Sequence, residues 1–254
     1  MQPRVTILIP HYKTLPLTTL CLQLLHQYTD LALAKIIVIE NGSHDESLAA
    51  LQAFPWITVI ARAGEAGESP VESHARALDL GLAQVTTPYV LSIHTDSLVK
   101  HADWLTFLLS IIESDDRIAG VGSWKLEAKS WVARLFKKME WLIQPKRAFA
   151  AKPTHYLRSH CALYRTDLLR QFHLQFSGGE AVAGKFIHEQ LVRRGYKMIF
   201  LPSERLLKYM VHLNHATTVL NPHLSRRSRM DKDLARFRKR LRGIGKAKSI
   251  EMPF

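Results

Sequence analysis

Between residues 5 and 93 the chain alternates strand and helix signals with little connecting sequence, and this constrains the fold more than any other feature. Val5 to Ile9 is a β-branched run closed by Pro10. Leu17, Leu20, Cys21, Leu24, Leu25 and Tyr28 then recur at helical spacing, with Pro16 near the first turn. Ile36 to Ile39 reads as a second buried strand, and Ser43-His-Asp-Glu46 reads as a capping box opening the next helix. Trp56 to Ile60 is a third strand. Ser69-Pro-Val-Glu72 is another capping box, whose helix runs to about Gln84, and Tyr89 to Ile93 is a fourth strand. This β-α-β-α-β-α-β order predicts an α/β fold whose sheet is mostly parallel, with helices on its faces.

Open sheets of this kind bind ligands beyond the carboxyl ends of their strands. The residues of interest are therefore His11, Tyr12 and Lys13 after the first strand, Glu40 and Asn41 after the second, Arg62 after the third, and His94 and Asp96 after the fourth. Side chains at i and i+2 on extended backbone point the same way, so His94 and Asp96 share a direction. From the residues alone, that pair fits a ligand pair, a helix cap or a surface corner.

The second half is less regular. It predicts a helix over Asp103 to Ile112 and a strand over Ile118 to Ser123. Arg158 to Arg165 reads as a strand passing into a helix at Thr166. A helix follows over Ala181 to Arg194, stopped by Gly195, then a strand over Lys197 to Leu201 and an extended piece over Tyr209 to Thr217. Trp124 to Leu142 is amphipathic and carries three of the chain's five tryptophans among lysines and arginines. That composition fits both a membrane-interface helix and a helix covering the core.

The chain's 254 residues carry a net charge of +13, with eleven Lys/Arg against three Asp/Glu between Leu224 and Phe254. Such a tail suits anionic lipid or nucleic acid, or is a solvated end. With one aromatic, Phe237, before its last residue, the tail offers little for base stacking, which argues against nucleic acid. No stretch approaches the ~20 apolar residues of a membrane span, and nothing resembles a signal peptide. Cys21 and Cys161 have no metal-type spacing. These features predict a cytoplasmic protein, either free or peripheral on the inner face of a membrane.

The blocks "VTILIPHYK", "IIVIENGSHDESL", "LDLGLAQVTTPYVLSIHTDSLV", "SHCALYRTDLL" and "RRGYKMIFLP" occur in that order. Together they resemble family 2 glycosyltransferases of the GT-A fold over roughly residues 4 to 217. The resemblance implies a domain over residues 1–220, with a nucleotide-sugar-binding half (1–97) and an acceptor half (98–220), followed by a basic tail (221–254). It implies transfer of a sugar, with inversion, from a nucleotide-diphosphate sugar to a glycan or lipid-linked acceptor, in cell-surface polysaccharide or glycolipid synthesis. Pro10, His11, Tyr12, Glu40, Asn41, Arg62, Asp79, His94 and Thr95 would contact the donor.

The family's two-carboxylate metal motif falls on His94-Thr95-Asp96, so Asp96 would hold a divalent Mn²⁺ or Mg²⁺. His94 stands where relatives carry a carboxylate, and it could ligate the metal or touch the donor instead. Imidazole favours Mn²⁺ over Mg²⁺. His215, or His212 before it, would lie beside the metal. The family's acidic pair aligns with Ala183-Gly184, so the general base would be the nearest upstream acid, Glu180, with Glu189 the alternative. Arg158 and Arg165 could face diphosphate or acceptor, or be ordinary surface arginines. A nucleotidyltransferase is disfavoured by the absence of glycine in "IPHYKTLPL". A member that binds without turnover is the remaining rival.

Overall fold

Alternation along the first strand, β1 (Val5–His11), sends Ile7 and Ile9 to one side and Leu8 to the other, and both sides are buried. The computed structural model describes residues 2–124, 126, 155–179, 182–213, 217 and 220–221. Glu180, His215, the amphipathic segment beyond Leu126 and the basic tail lie outside the described residues.

After β1 come α1 (Leu15–Tyr28), β2 (Ala34–Glu40), α2 (Ser47–Gln52), β3 (Thr58–Ala61), α3 (Pro70–Ala83), β4 (Tyr89–Ile93) and β5 (Ser97–Val99). The chain continues through α4 (Trp104–Ile112), β6 (Ile118–Gly122), β7 (Cys161–Arg165), α5 (Thr166–Gln171), α6 (Lys185–Arg193), β8 (Lys197–Phe200), α7 (Ser203–Leu206) and β9 (Met210–His212). Seven strands form one sheet in the order β3-β2-β1-β4-β7-β6-β8. The β1–β4 block is parallel throughout, β6 and β8 pair in parallel, and β7 runs antiparallel to both β4 and β6.

Each sheet face carries its own core. On one side α1 and α4 bury Leu17, Leu20, Leu24, Trp104 and Leu108 against Ile7, Ile9, Val38 and Leu91. On the other, α3 and α6 bury Ala75, Leu78, Ile187 and Leu191 against Leu8, Ile39, Val90 and Tyr164. Burying a large aliphatic side chain contributes roughly 1.5–3 kcal/mol, so this two-sided burial is the main force holding the sheet.

Several boundaries differ from those the sequence predicts. The Ser69–Glu72 capping box forms as expected, but the Ser43–Glu46 box does not. Glu46 caps α2 without a side-chain bond. Ser43 is drawn back to the strand ends instead, where its hydroxyl accepts from Lys13 N–H and its N–H donates to Glu40. The expected strand over Arg158 to Arg165 begins only at Cys161, because a turn closed by Cys161 N–H on the Arg158 carbonyl occupies the preceding residues. α6 starts at Lys185 and ends before Gly195, whose φ of +83° is the left-handed stop expected there. Of the expected extended piece from Tyr209 to Thr217, residues 214–216 lie outside the described residues, and Met210–His212 form a strand. It pairs antiparallel with β5, a strand the sequence reading lacks.

Candidate functional site

The chain order runs outward from β1 to β3 on one side and resumes at β4 on the other, so the sheet's switch point lies between β1 and β4. A crevice beyond the carboxyl ends of the strands is expected there. The structure gathers two groups of polar side chains around it.

The first group is a hydrogen-bonded floor at the ends of β1, β2 and β3. Glu40 is buried and accepts the Ser43 N–H at 2.7 Å. Arg62 donates to the Asn41 side-chain oxygen at 2.8 Å and to the Ser73 hydroxyl at 3.2 Å, and it pairs with Glu68. This pairing holds the Glu68 carboxyl below its ordinary range. His11 shows no exposed surface. Its Nδ1 lies 2.8 Å from the Thr18 hydroxyl, and its Nε2 has no partner. Burial depresses its pKa more than Glu40 and Asp45 raise it. Thr14 links this group to the next, lying 3.3 Å from both the Thr18 and Thr95 hydroxyls. Pro10 and Tyr12 are half-buried at the same strand end.

The second group stands beyond β4. His94, Asp96 and His212 each offer a ligand atom, and these atoms lie within 4.8 Å of one another. His212 Nε2 is 3.1 Å from Asp96 Oδ1, and His94 Nδ1 is 3.8 Å from the same oxygen. Around them, His74 and His94 both contact the Ser159 hydroxyl through Nε2, at 3.0 and 2.9 Å. His160 contacts the Ser123 hydroxyl at 2.8 Å and stacks on His212 with centroids 4.6 Å apart.

Burial pushes the His74 pKa down to about 4 and the His160 pKa down to about 3. His94 falls well below its ordinary value, first through burial and then through His74, despite the attraction of Asp96. A neutral imidazole is the form that can bind a metal, and the lowered pKa of His94 favours that form. The donor set of two imidazoles and one carboxylate fits a divalent transition metal.

The other predicted residues fall elsewhere. Asp79 lies on α3 and accepts the backbone N–H groups of Phe176 and Ser177, at 2.6 and 3.0 Å. It therefore anchors the loop that leads toward Gly178 and Gly179. Arg165 donates to the Ile118 and Ile112 carbonyls and belongs to the scaffold at the other end of β4. Arg158 packs its guanidinium over Trp124, 4.5 Å from the ring centroid. Glu189 is half-buried on α6 beside His188. Sequence reasoning passed over His74, Ser159, Ser123 and the role of His160. Serine and histidine directly before β7 were visible in "SHCALYR", but only the β4–β7 pairing carries them to His94.

Among solved structures, a mannosyltransferase from Pyrobaculum calidifontis, in complex with GDP-Man and Mn²⁺, matches with a TM-score of 0.57 and 20% identity over 80% of this chain and 55% of its own. This chain thus spans little more than half the length of that enzyme. S. aureus TarS 1-349 matches with a TM-score of 0.53 and 16% identity, covering 98% of this chain and 76% of its own. Glucosyl-3-phosphoglycerate synthase from Mycobacterium tuberculosis, in complex with Mn²⁺, UDP and glucosyl-3-phosphoglycerate, matches with a TM-score of 0.51 and 16% identity, covering 98% of this chain and 81% of its own. At these identities the likeness establishes a shared GT-A architecture. No curated protein matches the sequence. The model of the family described as "Glycosyl transferase family 2" matches residues 6–172, more than half of the chain. The chain belongs to glycosyl transferase family 2.

Proposed function

We propose that this protein transfers a sugar from a nucleotide-diphosphate sugar to a hydroxyl of a glycan or lipid-linked acceptor, with inversion and with a divalent metal. The observation that carries this reading is the His94–Asp96–His212 cluster at the carboxyl end of β4, beside the switch point between β1 and β4. The mannosyltransferase with GDP-Man and Mn²⁺, the synthase with UDP and Mn²⁺, and TarS with UDP-GlcNAc supply the precedent for donor chemistry.

His94, Asp96 and His212 would hold the metal. When bound, a divalent cation neutralises the diphosphate leaving group. Glu40, Asn41 and Arg62 form the polar floor for the nucleoside, with Pro10, His11, Tyr12 and Thr95 at its edge. His11 is fully buried, so it would support the edge of the nucleoside floor from behind rather than touch the base. Glu180 would accept the acceptor's proton, with Asp79 fixing the backbone of the loop before it. The basic tail and the tryptophan-rich segment suit an anionic membrane surface, where each nearby cation contributes ~1 kcal/mol at most. Among the described residues no helix is long and apolar enough to cross a membrane.

The test is release of nucleoside diphosphate from a panel of nucleotide sugars, with Mn²⁺ present or chelated. Metal-dependent release supports the proposal. Binding of nucleotide with no release under any acceptor condition would make the protein a binding module.

A further inference from the structure

We infer that this site takes its metal through nitrogen and so selects late first-row ions such as Co²⁺ and Zn²⁺ strongly over Mg²⁺, an inference that rests on the metal assignment above. The hydrogen-bond geometry fixes which atom of His94 faces the ion. The Nε2 atoms of His94 and His74 share the Ser159 hydroxyl at 2.9 and 3.0 Å. One hydroxyl has a single proton, so the chain of bonds has a direction. In one direction His94 Nε2–H donates to Ser159 and Ser159 donates to His74 Nε2, which leaves the His94 Nδ1 lone pair facing Asp96. In the other, His94 Nδ1 carries the proton, but Asp96 Oδ1 at 3.8 Å is too far to accept it. In both arrangements Nε2 is taken by Ser159 and Nδ1 is the His94 nitrogen nearest Asp96; the first leaves that Nδ1 lone pair free to be a ligand.

His212 presents Nε2 to the same carboxylate oxygen at 3.1 Å, and its ring is held flat against His160, 4.6 Å between centroids. His160 is fixed in turn by Ser123. Both ligand imidazoles are thus oriented by residues behind them, as outer-shell partners orient ligands in metal sites. Two imidazoles and one carboxylate suit Co²⁺, Zn²⁺ and Fe²⁺, whereas Mg²⁺ demands oxygen. His74 and Ser159 are positioning residues for this choice.

The experiment titrates the full chain, stripped of metal by chelator, with Mg²⁺, Mn²⁺, Co²⁺ and Zn²⁺ by calorimetry, and follows visible absorption of bound Co²⁺. The expected result is Co²⁺ and Zn²⁺ bound at least ~100-fold more tightly than Mg²⁺. In His94→Asp the gap should shrink at least ~10-fold, with a shifted Co²⁺ spectrum. Ser159→Ala should lower the thermal midpoint of the metal-free chain modestly, as loss of a buried hydroxyl with two partners requires, and should weaken Co²⁺ by ~10-fold or more on top of that, a loss that a purely structural role would not produce. Mg²⁺ within tenfold of Co²⁺ in the unaltered chain, or an unchanged gap in His94→Asp, overturns the inference. If His94→Asp fails to fold, the metal ranking of the unaltered chain and the Ser159→Ala result decide. Donor turnover is read separately. Sugar transfer with equal use of Mg²⁺ overturns this inference alone, whereas selective Co²⁺ binding with no turnover of any nucleotide sugar overturns the proposed function alone.

Discussion

His212 Nε2 stands 3.1 Å from Asp96 Oδ1 because β9 pairs with β5, placing His212 opposite Ser97, the residue next to Asp96. A second bond, from the Leu213 N–H to the Asp96 carbonyl at 3.0 Å, locks the register. The two-stranded sheet is what brings a strand-end carboxylate into one cluster with His94 and His212.

Replacing Asp96 by Asn removes the only carboxylate in that cluster while preserving its shape. Mn²⁺-dependent nucleotide affinity should be lost in Asp96→Asn, with the urea midpoint of the metal-free chain little changed. Isothermal titration with UDP and GDP, with and without Mn²⁺, checks this. Unaltered Mn²⁺-dependent affinity would remove Asp96 from the site.

Glu180 is the proposed base. Glu180→Gln should lower turnover by ~10²-fold or more with donor affinity retained. Near-normal turnover would move the role, with Glu189 the next to test.

Asp79 satisfies two backbone donors of the Phe176–Ser177 loop, and burial raises its pKa more than these bonds lower it. Asp79→Ala leaves both N–H groups without their acceptor. A loss of about 1–3 kcal/mol is expected in urea unfolding. A loss near zero would show that water replaces the carboxylate.

Gly122 ends β6 where it pairs with Ala162 on β7. A Cβ there would lie 2.2 Å from the Cys161 carbonyl oxygen and 3.1 Å from the Ala162 Cα, both backbone atoms. Gly122→Ala must therefore force the strands apart, at a cost of about 1–3 kcal/mol. Because Ser123 follows directly and holds His160, the same variant should weaken metal binding. Unchanged stability would contradict the close strand approach.

His188 is 5% exposed, its Nδ1 has no partner, and burial lowers its pKa despite the neighbouring Glu189. Its folded pKa lies below its unfolded value, so the unfolded chain takes up a proton that the folded chain refuses. The stability this group contributes is full above about pH 6.5 and is lost as pH falls through the folded pKa. The urea midpoint should therefore drop between about pH 7.5 and about pH 5.5, and drop less in His188→Gln. An equal drop in both proteins would assign the effect to other groups.

The sequence by itself determined the α/β alternation, because apolar runs of strand length and helices with capping or proline signals are local patterns. Val5 to Ile9, Tyr89 to Ile93 and the Ser69–Glu72 cap could be read within windows of a few residues. It also placed Glu40, Asn41, Arg62, His94 and Asp96 on one rim, because a parallel sheet carries all its strand ends to the same side. Tertiary structure decided the rest. Ser43 could not be assigned locally, since one of its competing partners, Lys13, comes from a different strand end. Asp79, which the family resemblance assigns to donor contact, instead faces a loop almost a hundred positions away. The histidine cluster depends on β4 meeting β7 and β5 meeting β9, pairings between distant segments that no local periodicity encodes. Four imidazoles become neighbours of one carboxylate only when the sheet closes, and burial then keeps His74, His94 and His160 neutral.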